Sequence, residues 1–186
     1  MDDGKSSWAR GLLDWIVVFV IALVVFWVVR LLVVEPFTVP TGSMEPTIQI
    51  GDNLLAQKVT LRLGQEVQPG DIVVFNNPDG TSDHGILVKR VIAMAGQTVD
   101  LRDGVVYVDG QPLDESYAAG DSLPLPAQAP GVTVSFPYTV PEGCVWLMGD
   151  NRENSADSRY FGAVPTENLI GVAFFRYWPL DRIGTL

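Results

Sequence analysis

From Trp15 to Val34 the chain runs for 20 residues with Val, Ile, Leu, Phe, Ala or Trp at nearly every position and one charge, Arg30. A helix rises about 1.5 Å per residue, so such a run spans about 30 Å, the thickness of a bilayer's hydrocarbon core. The segment predicts a transmembrane helix. Arg30 lies close enough to its far end to snorkel to the interface, and Trp15 and Trp27 suit interfacial levels. A cleaved signal peptide and a buried core helix are the alternatives. A signal peptide carries an apolar region of roughly 7–15 residues followed by small residues, whereas this run ends in Val33-Val34-Glu35-Pro36-Phe37. Lys5 and Arg10 precede the run, and the acidic Asp2, Asp3 and Asp14 count little in the positive-inside rule. The expected organisation is a short cytoplasmic N-terminus over 1–14, a single membrane pass over 15–34 and an extracytoplasmic domain over 35–186.

Composition narrows what that domain can do. The chain carries 22 acidic against 12 basic groups and a net charge of -10, which argues against a nucleic-acid footprint of clustered Lys and Arg. One cysteine, Cys144, rules out an internal disulfide, and one histidine, His84, rules out a His-rich metal centre. No cofactor or metal is expected. Past residue 60 the sequence shows turn-bounded apolar runs at 71–75, 85–95, 104–110, 145–148 and 170–178, the pattern of short strands, with no convincing helical period. These runs predict a mostly β fold. The stretch 113–141, rich in Pro, Ala, Ser and Gly, reads as an extended loop or insertion rather than core, with 132–136 as a candidate short strand.

Chemistry enters just past the membrane, in Pro40-Thr41-Gly42-Ser43-Met44-Glu45-Pro46-Thr47. A serine beside a glycine, with prolines on both sides, sits on a backbone stiff at the edges and permissive in the middle. That suits a nucleophile held at a fixed angle, although such a serine is also ordinary loop material. Ser43 lies nine residues past Val34, which at about 3.3–3.6 Å each keeps it within roughly 30 Å of the bilayer. A serine nucleophile needs a base. His84 sits in a polar turn, 79–85, of the kind that solvent surrounds. Lys89 falls inside the apolar run Ile86-Leu87-Val88-Lys89-Arg90-Val91-Ile92 and shares a strand face with Leu87 and Val91. Desolvation there lowers an amine's pKa. At a pKa near 8 roughly a tenth of the lysine is neutral at pH 7, against about 1 in 2,000 at the reference value. A lysine that snorkels or pairs with a carboxylate is the plainer reading. Arg90 cannot be the base, because guanidinium does not deprotonate in proteins.

The densest polar segment is 149–162, with Asp150, Arg152, Glu153, Asp157 and Arg159 within ten residues. An EF-hand order fails there at Arg152. An Asp–Arg network that pins the loop through bidentate pairs fits better, and a hydroxyl such as Ser155 can then be held against a neutral amine. Cys144, beside Val145 and Trp146, reads as a core residue.

Taken in order, these segments resemble the conserved blocks of bacterial type I signal peptidases: Pro40-Thr41-Gly42-Ser43-Met44 with Pro46-Thr47, Gly51-Asp52, Gly70-Asp71-Ile72-Val73-Val74-Phe75, Lys89-Arg90-Val91-Ile92 with Gly96, and 149–162. The resemblance covers about residues 15–178. It implies an antiparallel β catalytic domain lying against the outer membrane surface. It also implies a Ser–Lys dyad of Ser43 and Lys89, an oxyanion hole of the Ser43 amide and the Thr41 hydroxyl, a lysine-orienting Ser155 and a supporting Asp157–Arg159 salt bridge. Many family members carry serine where this chain has Thr41, and some have two membrane spans. The implied activity is removal of signal peptides from exported preproteins after an Ala-x-Ala site through an acyl-enzyme. The implied partners are those signal peptides, the lipid bilayer and the protein-export machinery. Two rivals stand beside it: a self-cleaving repressor-type peptidase, which lacks a membrane anchor, and a membrane-tethered non-catalytic β binding module.

Overall fold

The computed structural model describes residues 4–80 and 85–186. A long helix, α1 (Gly4–Leu32), leads directly into strand β1 (Val34–Thr38). The helix starts well before Trp15, because Trp8, Leu12 and Leu13 continue it without a breaker. It also stops short of Val34: the Val33 N–H still donates to Val29 at 2.8 Å, but Pro36 drives Glu35 into an extended conformation. Within α1, Gly11–Arg30 has a mean hydropathy of 2.9 and is long and apolar enough to cross a membrane, and none of it is buried inside the molecule.

The rest is built from antiparallel strands. After β1 come β2 (Asn53–Gln57), the single-turn helix α2 (Val59–Arg62), β3 (Ile72–Asn76), β4 (Ile86–Met94), β5 (Thr98–Arg102), β6 (Val105–Val108), β7 (Gln111–Pro112) and β8 (Tyr138–Thr139). Then follow β9 (Cys144–Met148), the short helix α3 (Ser158–Phe161), β10 (Val164–Pro165), β11 (Leu169–Trp178) and β12 (Gly184–Thr185). One sheet runs β1-β2-β11-β3-β4-β9-β10, with β12 on β11, and a smaller one runs β7-β6-β5-β8. Each of the five apolar runs singled out from the sequence overlaps a strand. The β1–β2 pair was not anticipated, since its residues carry Glu, Pro, Asn and Gln among the apolar ones.

Alternation along the strands explains how the large sheet is buried on both faces. In β3, Val73 and Phe75 enter one cluster with Val91, Leu147 and Phe161. Ile72 and Val74 enter another with Met44, Ile48, Leu54 and Ala56. A third cluster, around the fully buried Trp146, joins the small sheet to β4 and β9.

The stretch 113–141 departs from expectation. It is largely irregular, but Ala129, Val134 and Val140 are buried in the core, so it is not merely an insertion. Residues 132–136 do not form a strand: the side chain of Gln128 takes both backbone groups of Val134, at 2.8 and 2.7 Å, and so replaces the neighbouring strand that a ladder would need.

The β11–β2 ladder approaches so closely that a Cβ on Gly171 would lie 2.8 Å from the Gln57 carbonyl oxygen. Gly171→Ala is therefore expected to destabilise the fold by roughly 1–3 kcal/mol. Thermal unfolding of the full chain in detergent checks this, and an unchanged midpoint would mean that the two strands separate freely.

Candidate active site

Apolar anchors place Ser43. Past β1 the chain is closed into a loop by the Val39 N–H on the Asp52 carbonyl at 2.9 Å and the Gly51 N–H on the Val39 carbonyl at 2.8 Å. Inside it, Met44 and Ile48 drop into the core, and the Ile48 N–H donates to Met44 at 2.9 Å. With its neighbours pulled inward, Ser43 remains half-buried at the surface.

Lys89 comes from the middle of β4, opposite Val73 in the register, and is 2% exposed. Its Nζ lies 2.7 Å from Ser43 Oγ and donates to the Val88 carbonyl at 3.0 Å. Burial lowers its pKa to about 8; Asp157 and Asp150 oppose that shift, and Arg159 adds to it. Arg90, the next residue, points the other way, as strand alternation requires. It grips Asp150 with two bonds of 2.9 and 2.6 Å and the Gly70 carbonyl with a third of 2.9 Å. Asp150 also accepts from Thr47 Oγ1 at 2.6 Å.

The 149–162 segment is tied down from within. Asp157 caps α3 by accepting the Arg159 N–H at 3.1 Å, and it pairs with the same residue's Nε and Nη2, both at 2.9 Å. It also takes the Gly149 N–H at 3.1 Å. Arg152 returns its Nε to the Gly149 carbonyl at 2.9 Å, while its Nη atoms go to Glu115 and Ser122. Asn151 then holds the serine turn. Its N–H donates to the Ser43 carbonyl and its Nδ2 to the Gly42 carbonyl, each at 3.1 Å. Gly149 has to be glycine for reasons of space: a Cβ there would stand 2.3 Å from Ser155 Oγ and 2.4 Å from the Ser43 carbonyl oxygen.

The residues expected to meet are thus mostly together, with one difference. Ser155 is 8% exposed, and its hydroxyl, packed against Gly149, has no hydrogen-bond partner among the described residues. The Lys89 amine donates to the Val88 carbonyl and makes no hydrogen bond to Ser155. Thr41 is half-buried and borders both cavities that flank the pair. His84 lies outside the described residues. Cys144 is half-buried at the edge of the Trp146 cluster, and burial, followed by Glu167, pushes its thiol pKa up. Glu115, Tyr117, Ser122 and Asn151 were not singled out from the sequence. Their partners are distant in the chain, 37 residues for Glu115 and Arg152 and 109 for Asn151 and Gly42, and no spacing rule reaches that far. Burial and Glu115 hold the Tyr117 hydroxyl far above the ordinary tyrosine range.

Two hollows open onto the pair. One of about 190 Å³ is walled by Phe37, Val39, Met44 and Val88, and one of about 450 Å³ by Asn77, Asp79, Asn154, Tyr160 and Phe161. A larger cleft, about 540 Å³, lies elsewhere, between Leu61, Val67, Cys144 and Leu169, and contains neither Ser43 nor Lys89. Size alone would choose a different place from the one marked by the paired hydroxyl and desolvated amine, the kind of perturbed group that clusters at functional sites. Among the described residues no group of His, Cys, Asp and Glu is arranged to hold a metal ion.

Residues 12–178 match the family described as signal peptidase, peptidase S26. A probable signal peptidase I-2 from Synechocystis is 42% identical over 161 residues, which covers 85% of this chain and 69% of that protein. A signal peptidase I from Bacillus licheniformis is 34% identical over 184 residues, 98% of this chain and 97% of that protein. The crystal structure of a signal peptidase I from Enterococcus faecalis is 34% identical, covers 58% of this chain and 97% of that one, and superposes with a TM-score of 0.47.

A lysine whose pKa falls from 10.5 to about 8 on folding costs about 3 kcal/mol wherever it must stay charged. That cost is complete below pH 8 and is relieved as pH rises from 8 to 10.5, where the unfolded chain binds the extra proton. Lys89→Met is therefore expected to raise stability at pH 7 by roughly 1–3 kcal/mol, a gain that shrinks as pH rises across that window. Melting curves of both proteins at pH 7 and pH 10 check it, and equal stabilities at pH 7 would mean that Lys89 is not desolvated.

Proposed function

Because this chain belongs to the signal peptidase family, peptidase S26, we propose a residue-by-residue account of how it works. It is a serine endopeptidase that removes signal peptides. Ser43 is the nucleophile and Lys89 the general base. The observation that carries this reading is the 2.7 Å contact between Ser43 Oγ and the buried Lys89 Nζ. At a pKa of about 8, roughly a tenth of the amine is neutral at pH 7. Neutral Lys89 takes the Ser43 proton as Oγ attacks the scissile carbonyl carbon. The Ser43 N–H and the Thr41 hydroxyl hold the oxyanion. When the tetrahedral intermediate collapses, the Lys89 ammonium protonates the leaving amine and an acyl-enzyme remains. Lys89, neutral again, then takes a proton from water as it attacks the ester carbonyl, and returns that proton to Ser43 Oγ as the acyl product leaves.

The 190 Å³ hollow accounts for selection of small side chains before the cut. An extended peptide alternates faces, so the residue at the cut and the one two before it point the same way. Both meet the apolar wall of Phe37, Val39, Met44 and Val88, and an Ala-x-Ala site fits there. The exposed apolar helix α1 supports a single membrane pass, and Lys5 and Arg10 ahead of it favour residues 1–14 in the cytoplasm and 35–186 outside. Since β1 begins two residues after the helix ends, Ser43 is kept within reach of the membrane surface, where a signal peptide emerges.

The test is cleavage of a purified preprotein carrying an Ala-x-Ala site by the detergent-solubilised full chain. Cleavage should be lost in Ser43→Ala and Lys89→Met, and the wild-type rate should climb with pH about an apparent pKa near 8, as the pKa of Lys89 requires. A Ser43→Ala chain that cuts as well as wild type would sink the dyad and favour a non-catalytic binding module. Thr41→Val is expected to lower kcat by roughly 10²–10³ while the fold persists; a change of less than about threefold would remove Thr41 from the oxyanion hole.

A further inference from the structure

One stretch of chain reaches the site without taking part in its chemistry. Residues 115–122 cross the 150–152 turn as an irregular strap. Ala119 bridges Asn151 in parallel fashion: its N–H donates to the Asp150 carbonyl at 2.7 Å, and its carbonyl accepts the Arg152 N–H at 2.8 Å. Glu115 takes both Nη atoms of Arg152, and Ser122 Oγ takes one of them again. Tyr117 lays its ring 4.0 Å from the Arg90 guanidinium and donates its hydroxyl to Glu115 at 3.0 Å. The contacts of Glu115, Ala119 and Ser122 converge on three consecutive residues, 150–152, and Tyr117 reaches the first of them through Arg90; the middle one, Asn151, is the residue that grips the Gly42 and Ser43 carbonyls.

We propose that the strap Glu115–Ser122 is a positioning element for the Ser43–Lys89 pair, anchored by Glu115 on Arg152 and by Tyr117 on Arg90, and that it acts through Asn151 to set the angle at which Ser43 meets Lys89. The proposal rests on the assignment of Ser43 and Lys89 as the reacting groups. Asn151 is fixed from two sides by strap hydrogen bonds to its neighbours, so a looser strap lets the serine turn drift, and a displacement of about 1 Å at a nucleophile is costly to rate. The strap has an electrostatic side as well. The charges facing Lys89 are Asp157, Asp150 and Arg159, and Asp150 is compensated by Arg90, which the Tyr117 ring keeps in place. With Arg90 loosened, Asp150 acts on the amine less compensated and holds it protonated to higher pH.

The experiment uses the full-length chain in detergent micelles. It contains three lysines, Lys5, Lys58 and Lys89, so isotope-labelled lysine gives a side-chain NMR spectrum simple enough to titrate Lys89 directly, with Lys58→Arg as an assignment control. Tyr117→Leu and Glu115→Gln are expected to lower kcat roughly tenfold or more with KM within about twofold, and Tyr117→Leu to raise the Lys89 titration midpoint by about 0.5 pH unit or more. Tyr117→Phe keeps the ring over Arg90 and should return both quantities to near wild type. A folded Tyr117→Leu with wild-type kcat and an unmoved Lys89 titration overturns the proposal. So does a kcat loss that tracks a lowered melting midpoint while the titration stays put, since that is loss of fold and not of position. If the wild type cuts no preprotein, the assignment of the site fails on its own account, whereas the lysine titration still reads the strap.

Discussion

The constraint on which the rest of this structure turns is a primary amine held out of water. Lys89 stands in the centre of an eight-stranded sheet, 2% exposed, and no carboxylate among the described residues pairs with it directly. An isolated buried charge of that kind is expensive, so the amine gives up its proton more readily than a lysine in solution. The surroundings hold the shift to a useful range. Asp157 and Asp150 pull the pKa back up while burial drives it down to about 8, and both carboxylates are themselves neutralised, by Arg159 and Arg90. Two ion pairs that look like scaffolding thus also set the proton affinity of the central amine.

Those same pairs solve a problem of backbone geometry. The turn after β9 brings a polar segment against the serine loop with Gly149, Asp150 and Arg152 buried, so their carbonyls and amides need partners from the protein. Asp157 satisfies the Gly149 amide, Arg152 the Gly149 carbonyl, Arg159 the Arg152 carbonyl and Ala119 the Asp150 carbonyl. With every one of those bonds made, Asn151 is left facing the serine turn with two donors, and the lack of a side chain at Gly149 allows Ser43 to come that close. Ser155 is the exception: it is buried beside Gly149 with its hydroxyl unmatched among the described residues. A group with unspent hydrogen-bonding capacity near the Ser43–Lys89 pair is the kind of local inconsistency that functional sites retain.

How far the site was legible depends on the range of each signal. Lys89 stood out because one strand's alternation suffices to say that a lysine on the same face as Leu87 and Val91 points into an apolar interior. Ser43 stood out because its prolines and glycine are its near neighbours, and the Asp–Arg character of the 149–162 loop because its members lie close together in the chain. Glu115 and Tyr117 gave no sign. They lie in a segment whose composition reads as loop, and their value depends on Arg90 and Arg152, which only the folded sheet brings alongside. The burial within 113–141 was hidden for the same reason: Ala129, Val134 and Val140 are core residues without periodicity, because side chains such as Gln128 replace the regular ladder that would have produced one.

The amino-acid sequence alone determined the apolar helix, the β character of the domain beyond it, the exclusion of disulfide and histidine-rich metal chemistry and the identity of a serine and a lysine fit to react. All of these depend on neighbours within a few positions or on the residue types the chain lacks. The tertiary structure decided that Ser43 Oγ and Lys89 Nζ, 46 residues apart, lie 2.7 Å from one another. It also decided that the amine donates to the Val88 carbonyl and not to Ser155, and that a strap of unpatterned chain packs on the turn that holds the serine. Burial and long-range hydrogen bonds are properties of the assembled sheet. Only when β4, β9 and the loop after β1 are packed together does a lysine lose its water and come within hydrogen-bond distance of a serine.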